Sequence, residues 1–261
     1  MARMAADTLH DFTTDTFTFA GKTRDVYRAG SGPAVVVMAE MPGITPRVAD
    51  FARLLVGRGF SVFLPHLFGT PGEPPSAGSY VRSIVPGCVS KEFRAFALRT
   101  TPPAIDWLRA LARHAHEQCG GPGVGAVGMC FTGGFALAMA TEPEMLAPVL
   151  SQPSLPIGGR GAADLHLSDA DLLAVKERDD LCVLGLRFTG DKLSPGARFE
   201  SLRRELGDRF IGVELTTPAD RPRAHSVLTE ELVEGPDEPT WQAFEQVVGF
   251  LSERLGTAPG A

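Results

Sequence analysis

Val127-Gly128-Met129-Cys130-Phe131-Thr132-Gly133-Gly134 is the stretch from which the fold can be read. A short apolar run, residues 124–128, ends in Gly-x-Cys, and small residues suited to a helix begin at once. A strand that turns directly into a helix with a nucleophilic side chain at the corner is a nucleophile elbow. Its corner is a strained backbone conformation, and only small neighbours let the helix pass close to the strand it leaves. Gly128, Gly133 and Gly134 meet that need. The turn also aims the Phe131 N–H, at a helix N-terminus, toward any negative charge forming near the Cys130 sulfur. By itself Gly-x-Cys is equally the mark of a plain buried cysteine, so the flanking chain has to decide.

Outward toward the N-terminus, residues 34–39 form a continuous apolar run, too short for a helix and rich in β-branched types, as in a strand buried on both faces. Thr45 offers an N-cap and Pro46 a first helical residue, with Val48, Phe51, Leu54 and Leu55 at helical spacing up to Gly57 and Gly59. A second buried strand covers 60–64. This strand-helix-strand unit recurs: Pro103 opens a helix with Ile105, Leu108 and Leu111 on one face, ending near Gly120 before the strand of the elbow. A mostly parallel sheet follows. Residues 17–19 and 25–28, around a Gly21-Lys22 turn signal, read as an N-terminal antiparallel hairpin.

Beyond the elbow the pattern predicts a helix over 131–140, a strand over 148–150, a loop over 153–164 and a short helix behind the capping pattern Ser168-x-x-Asp171. A strand over 182–188 comes next. Ser194 and Pro195 then start a helix carrying Phe199, Leu202 and Leu206, residues 210–215 make a last strand, and Trp241, Phe244, Val247, Val248 and Leu251 line a C-terminal helix. Breakers crowd 68–86, FGTPGEPPSAGSYVRSIVP, which reads as an excursion without periodicity inside a lid-like stretch, 68–100. A single domain spans 1–261, with an ordered core over 13–255 and a tail at 256–261.

An elbow nucleophile needs partners. Where a sheet presents one this way, an acid and then a histidine follow in chain order, each at the C-terminal end of a later strand. The strand over 182–188 ends in Thr189-Gly190-Asp191, and the strand over 210–215 is followed by Ala224-His225-Ser226. Alone, Asp191 is a turn acid and His225 a loop histidine. Three hits in the required order, at the required strand ends, make a triad.

The 261 residues, 44% hydrophobic and 21% charged, exclude a wholly disordered chain, a collagen and a disulfide miniprotein. A balance of 25 Lys+Arg against 31 Asp+Glu, −6 in all, excludes a nucleic-acid partner met through a broadly basic surface. No run of apolar residues is long enough for a membrane span, and no apolar segment follows Arg3 as in a leader. Cys88, Cys119, Cys130 and Cys182 include no CxxC pair, so metal and thioredoxin-like spacings are absent and free thiols in a cytoplasmic setting are expected. Cys88, Cys119 and Cys182 read as packing residues. His114 and His116 do not share a helix face and make poor metal ligands. No phosphate-binding loop or dinucleotide fingerprint is present.

With these segments in hand, the chain resembles the dienelactone hydrolase family of α/β-hydrolases, which use a Cys-Asp-His triad. The resemblance spans roughly residues 13–255 and is carried by Met38-Ala39-Glu40-Met41-Pro42-Gly43, by Gly128-Met129-Cys130-Phe131, by Gly190-Asp191 with Pro195 behind it, and by Ala224-His225-Ser226. It implies an α/β-hydrolase fold: a mostly parallel central sheet, helices on both faces and an antiparallel hairpin at the N-terminus. It also implies a cofactor-independent, metal-free hydrolase, a monomer or homodimer, acting on a small-molecule ester or lactone. Carried over residue by residue, Cys130 is the nucleophile, His225 its base and later acid, and Asp191 the group that orients the ring. Glu40 is implied to contact the resting thiol and help it ionise, and the backbone N–H groups of Met41 and Phe131 to form the oxyanion hole.

The chain departs from the family pattern at two places. Thr132 stands where glycine is common, so the small-residue requirement moves to Gly133 and the helix is expected to stand slightly further off. No arginine follows closely after the histidine in His225-Ser-Val-Leu-Thr229, so an anionic substrate requires another cation. Arg221 and Arg223 precede His225, and Arg82, Arg94 and Arg99 lie in or beyond the excursion. Of these, Arg82, Arg94 and Arg223, with His66 on the same rim, are the candidate substrate-binding residues, Arg94 first. Two rivals remain: a cyclase or acyltransferase built on the same triad, and an idle binding protein that keeps the elbow as architecture.

Overall fold

In a computed structural model that describes residues 5–89, 101–154, 161–165 and 167–257, with the backbone alone over 84–89, the apolar run becomes strand β3, Ala34–Met38, every residue buried. Around it the chain runs β1 (Thr13–Phe19), β2 (Lys22–Ala29), β3, α1 (Pro46–Gly57), β4 (Ser61–Pro65), α2 (Ala77–Val89) and α3 (Pro103–Cys119). Then come β5 (Val124–Met129), a 3-10 turn (Cys130–Thr132), α4 (Gly133–Met139), β6 (Met145–Ser151), α5 (Asp169–Glu177), β7 (Val183–Phe188), α6 (Gly196–Leu206), β8 (Phe210–Leu215) and α7 (Pro239–Leu255). The strands form one eight-stranded sheet in the order β1-β2-β4-β3-β5-β6-β7-β8. From β4 onward the pairs are parallel, while β1 and β2 add antiparallel strands at one edge.

Two apolar layers flank the sheet. Along β3, Val36 and Met38 face a layer with Ile105, Leu108 and Leu111 of α3, Phe135 of α4 and Phe199 of α6. Val35 and Val37 face the opposite layer, with Val48, Phe51 and Leu55 of α1 and Phe244, Val247 and Leu251 of α7. Period-2 alternation therefore gives a central strand two buried faces, and its sequence reads as an unbroken apolar run. α1 starts as expected: Thr45 Oγ1 accepts from Val48 N and Pro46 opens the helix.

Several expectations shift. The hairpin turn lies at Ala20-Gly21, not Gly21-Lys22, because a two-residue hairpin needs positive φ at both central positions; these have φ 50° and 75°, and Lys22 already pairs with Phe19. The excursion is not without order, since α2 forms in spite of Gly78, Pro86 and Gly87. Its start signal is a pair of serines: Ser76 N donates to Ser79 Oγ and Ser79 N to Ser76 Oγ, reciprocal caps within one turn. Ser83 Oγ donates to Pro42 O at 2.6 Å, pinning α2 over the loop that follows β3. At α5, Ser168 Oγ caps Asp171 N as read, but the Asp171 carboxylate turns to Thr101 and Arg109 instead of closing a capping box. Pro195, rather than Ser194, sits at the N-cap of α6. No described helix is long and apolar enough to cross a membrane.

Candidate functional site

The chain leaves β5 and turns into the 3-10 turn through Cys130, whose φ of 53° is the left-handed backbone of a strained corner. Two glycines make that corner possible. A Cβ on Gly128 would lie 2.2 Å from Thr132 O, and one on Gly133 would lie 2.7 Å from Pro153 Cα. The requirement read for Gly133 is met there, against the chain that leaves β6. Thr132 does more than occupy a glycine position. Fully buried, its hydroxyl accepts from Met129 N at 2.9 Å and donates to Met38 O at 2.9 Å, stitching the elbow to the end of β3.

The ends of β7 and β8 bring the other two members together. Thr189 N donates to Leu215 O and Gly190 N to Thr217 Oγ1, so the two strand-end loops are tied to one another. Asp191 Oδ1 accepts from Leu193 N at 2.9 Å, and Oδ2 lies 2.6 Å from His225 Nδ1. A carboxylate only accepts, so Nδ1 carries the proton and Nε2 is left to face the reaction. Nε2 is buried and has no hydrogen-bond partner among the described residues. Burial pushes the imidazole's pKa down, but the Asp191 hydrogen bond and the charge at Cys130 outweigh it and raise it to about 10. The Cys130 side chain is half-buried, and Sγ lies 2.9 Å from Ser154 Oγ.

Glu40, buried at the end of β3, does not make the contact that the resemblance implies. Among the described residues its carboxylate accepts from Ser226 Oγ at 2.6 Å, Gln152 Nε2 at 3.2 Å and Thr229 Oγ1, and none of its hydrogen bonds goes to Cys130. Both Ser226 and Thr229 belong to the loop carrying His225, so Glu40 anchors that loop. Gln152 completes the anchor: its Oε1 accepts from Val227 N, and its own φ is 35°. Met41 is half-buried beside this cluster, and Phe131 is buried against Phe135 and Phe68.

The candidate substrate residues separate. Arg223 lines a cavity of about 410 Å³ with Gly190, Asp191, Lys192, Leu193, Pro222 and His225; Cys130 is not among its lining residues. Arg82 is exposed and paired with Glu73 at 2.5 Å. His66 Nε2 is bonded to Gly69 O at 2.9 Å and pins a turn. Arg94, like Arg99, lies outside the described residues. Arg221 is paired with Glu231. Another cavity, about 530 Å³, is lined by Asp11, Asp15, Arg28, Arg53 and Phe63 among others and shares no residue with Cys130, Asp191 and His225. Cys119 and Cys182 are half-buried free thiols. Among the described residues no three His, Cys, Asp or Glu side chains converge as a metal site.

Three groups at the site escaped the sequence reading: Ser154, Gln152 and Arg198. The first two sit just past β6, where no periodicity or motif marks them. Tyr80 of α2 is a fourth. Burial, then the charges of Glu40, Glu230 and Cys130, push its pKa up to about 12.

Comparison with known proteins follows the same lines. Residues 21–154 match the model of the Dienelactone hydrolase family. No curated protein sequence matches. Among solved structures, one from Klebsiella pneumoniae subsp. pneumoniae MGH 78578, ascribed to dienelactone hydrolase, is similar with a TM-score of 0.63 at 16% identity, covering 93% of this chain and 98% of its own. A dienelactone hydrolase-like promiscuous phosphotriesterase from metagenomic libraries gives 0.61 at 18% identity, over 94% and 98%. The thioesterase domain of the curacin biosynthetic pathway gives 0.58 at 10% identity, over 91% and 99%. These likenesses establish the α/β-hydrolase fold.

Proposed function

Because the chain belongs to the dienelactone hydrolase family, we propose that it hydrolyses a lactone or carboxylic ester through a Cys130 thiolate and an acyl-enzyme. The observation that carries this reading is the strained Cys130 corner facing a histidine that Asp191 already holds at 2.6 Å. In the first half-reaction Sγ attacks the carbonyl carbon and an S–C bond forms. The N–H groups of Met41 and Phe131 receive the oxyanion. The C–O bond to the alcohol then breaks as His225 Nε2–H gives its proton to the leaving oxygen. In the second, Nε2 takes a proton from water, the hydroxide adds to the thioester carbon, and the C–S bond breaks to return the thiolate.

His225 is suited to both transfers, since Asp191 keeps one tautomer and one ring orientation through the cycle. Glu40 serves by holding the His225 loop at Ser226 and Thr229. The cavity beside His225 supports a substrate of modest size, with Leu193 and Pro222 as apolar wall and Arg223 and Lys192 as cations for a negative group. Arg223 thus takes the place of the arginine missing after the histidine. Acyl transfer to another nucleophile would use the same intermediate, and product analysis with a competing alcohol or amine separates the two outcomes.

The test is Cys130→Ala, assayed on a panel of aryl esters and enol lactones. Loss of kcat/KM by about 10³-fold or more is expected for removal of a nucleophile. Turnover equal to the parent enzyme overturns the reading.

A further inference from the structure

We propose that Ser154 is a further catalytic residue, donating a hydrogen bond from its hydroxyl to the Cys130 thiolate, and that the buried Arg198 is the positioning residue that holds it there. This rests on Cys130 being the nucleophile. A thiolate has only acceptor capacity, so a hydroxyl 2.9 Å from Sγ must donate to it, and a hydrogen bond made to the charged form favours that form. Ser154 is tied to the elbow a second time, its N donating to Cys130 O at 2.9 Å. It is 7% exposed, so water competes little for the hydroxyl.

What holds Ser154 is a cation. Arg198 of α6 is 3% exposed; its Nη1 donates to Pro153 O and its Nε to Asp164 O at 3.1 Å, so one guanidinium grips the chain on both sides of Ser154. The missing side chain of Gly133 lets Pro153 lie against the elbow. Arg198 Nη2 is buried with no partner among the described residues. A buried cation is costly unless an anion compensates it. Burial pushes Arg198 down to about 10, while Asp164 and Cys130 are the groups that push it back up. The same Coulomb attraction favours the thiolate.

Among the described residues, the charged and titratable groups bearing on Cys130 come from three sides: His225 after β8, Arg198 on α6 and Tyr80 on α2. Glu40, to which the resemblance gives the task of ionising the thiol, is instead engaged by Ser226, Thr229 and Gln152.

The experiment follows the alkylation of Cys130 by iodoacetamide against pH, read by peptide mapping, in the parent protein, Ser154→Ala and Arg198→Lys. It needs no substrate and reads the sulfur directly. Ser154→Ala removes one oxygen and is expected to move the alkylation midpoint upward by about 1 to 2 units, slowing labelling below the midpoint by about 10- to 100-fold. Arg198→Lys keeps a charge but cannot grip both carbonyls, and an upward shift smaller than that of Ser154→Ala is expected. Thermal melting shows that each variant is folded, and should Arg198→Lys not fold, Ser154→Ala decides alone. A midpoint unmoved in Ser154→Ala overturns the inference. If Cys130→Ala is inactive while that midpoint is unmoved, only the inference fails; if Cys130→Ala keeps full hydrolysis, the nucleophile assignment fails first.

Discussion

Asp191→Ala is expected to lower the alkaline limb of the pH–activity profile and to reduce activity below it. The carboxylate makes two bonds, to His225 Nδ1 at 2.6 Å and to Leu193 N at 2.9 Å, and only the first touches the reacting groups. A hydrogen bond to a charged partner contributes about 1.5–3 kcal/mol, and about 1.4 kcal/mol corresponds to one pKa unit. Without it the His225 pKa, now about 10, falls to between ~8 and ~9. The proposed mechanism needs the His225 proton for the leaving oxygen, so activity is lost as pH rises through the histidine's pKa. A lower pKa therefore brings the limb down with it. The ring also loses its fixed tautomer, and kcat/KM near neutral pH should fall on the order of 10²–10⁴-fold, the range seen when triad members are removed from other enzymes. The assay is kcat/KM for an aryl ester between pH 6 and 11, with an NMR titration of the His225 ring and Arg204→Ala, a distant exposed site, as control. A folded Asp191→Ala protein whose alkaline limb stays within about 0.3 unit of the parent would refute the mechanism.

Two further predictions concern stability. Thr132→Val keeps the shape of the side chain but removes the hydroxyl that accepts from Met129 N and donates to Met38 O in a fully buried place, at a cost of about 2–4 kcal/mol; chemical denaturation should show it, and a loss below about 0.5 kcal/mol would mean the hydroxyl does not stitch the elbow. His225 is raised from 6.5 to about 10 in the folded state, so its contribution is fully present below about pH 6.5 and is lost as pH rises through about 10. The drop in Tm across that window should flatten in His225→Ala; equal slopes in the two proteins would contradict it.

The proposed triad could be assembled from the sequence because its chemistry is tied to chain order. An elbow has a local signature in Gly128, Cys130 and Gly133, and the two partners follow at strand ends that periodicity alone locates. Strands buried on both faces, such as Ala34–Met38 and Val124–Met129, announce themselves as unbroken apolar runs. Helix α2 was hidden for a related reason: breakers dominate its composition, and its serine caps resemble any turn. The substrate candidates could not be ranked from the sequence because charge placement says nothing of partners. Arg82 meets Glu73 and His66 meets a carbonyl, while Arg223 opens onto the cavity.

The order of nucleophile, acid and histidine, the positions of the strands and the small residues at the elbow follow from the sequence by itself, because each depends on neighbours a few residues away. What Glu40 and Thr132 do was decided only by tertiary structure. Glu40 reads as a partner for the thiol until the loop after β8 folds back and offers it Ser226 and Thr229, 186 and 189 residues away. Thr132 reads as an intrusion into a glycine site until β3 presents a carbonyl 94 residues distant. Ser154 meets Cys130, and Arg198 the carbonyls of Pro153 and Asp164, in the same way. Hydrogen bonds are short-ranged and directional, so the partner of a buried polar group is set by which strand ends lie side by side, and strand order is a property of the sheet.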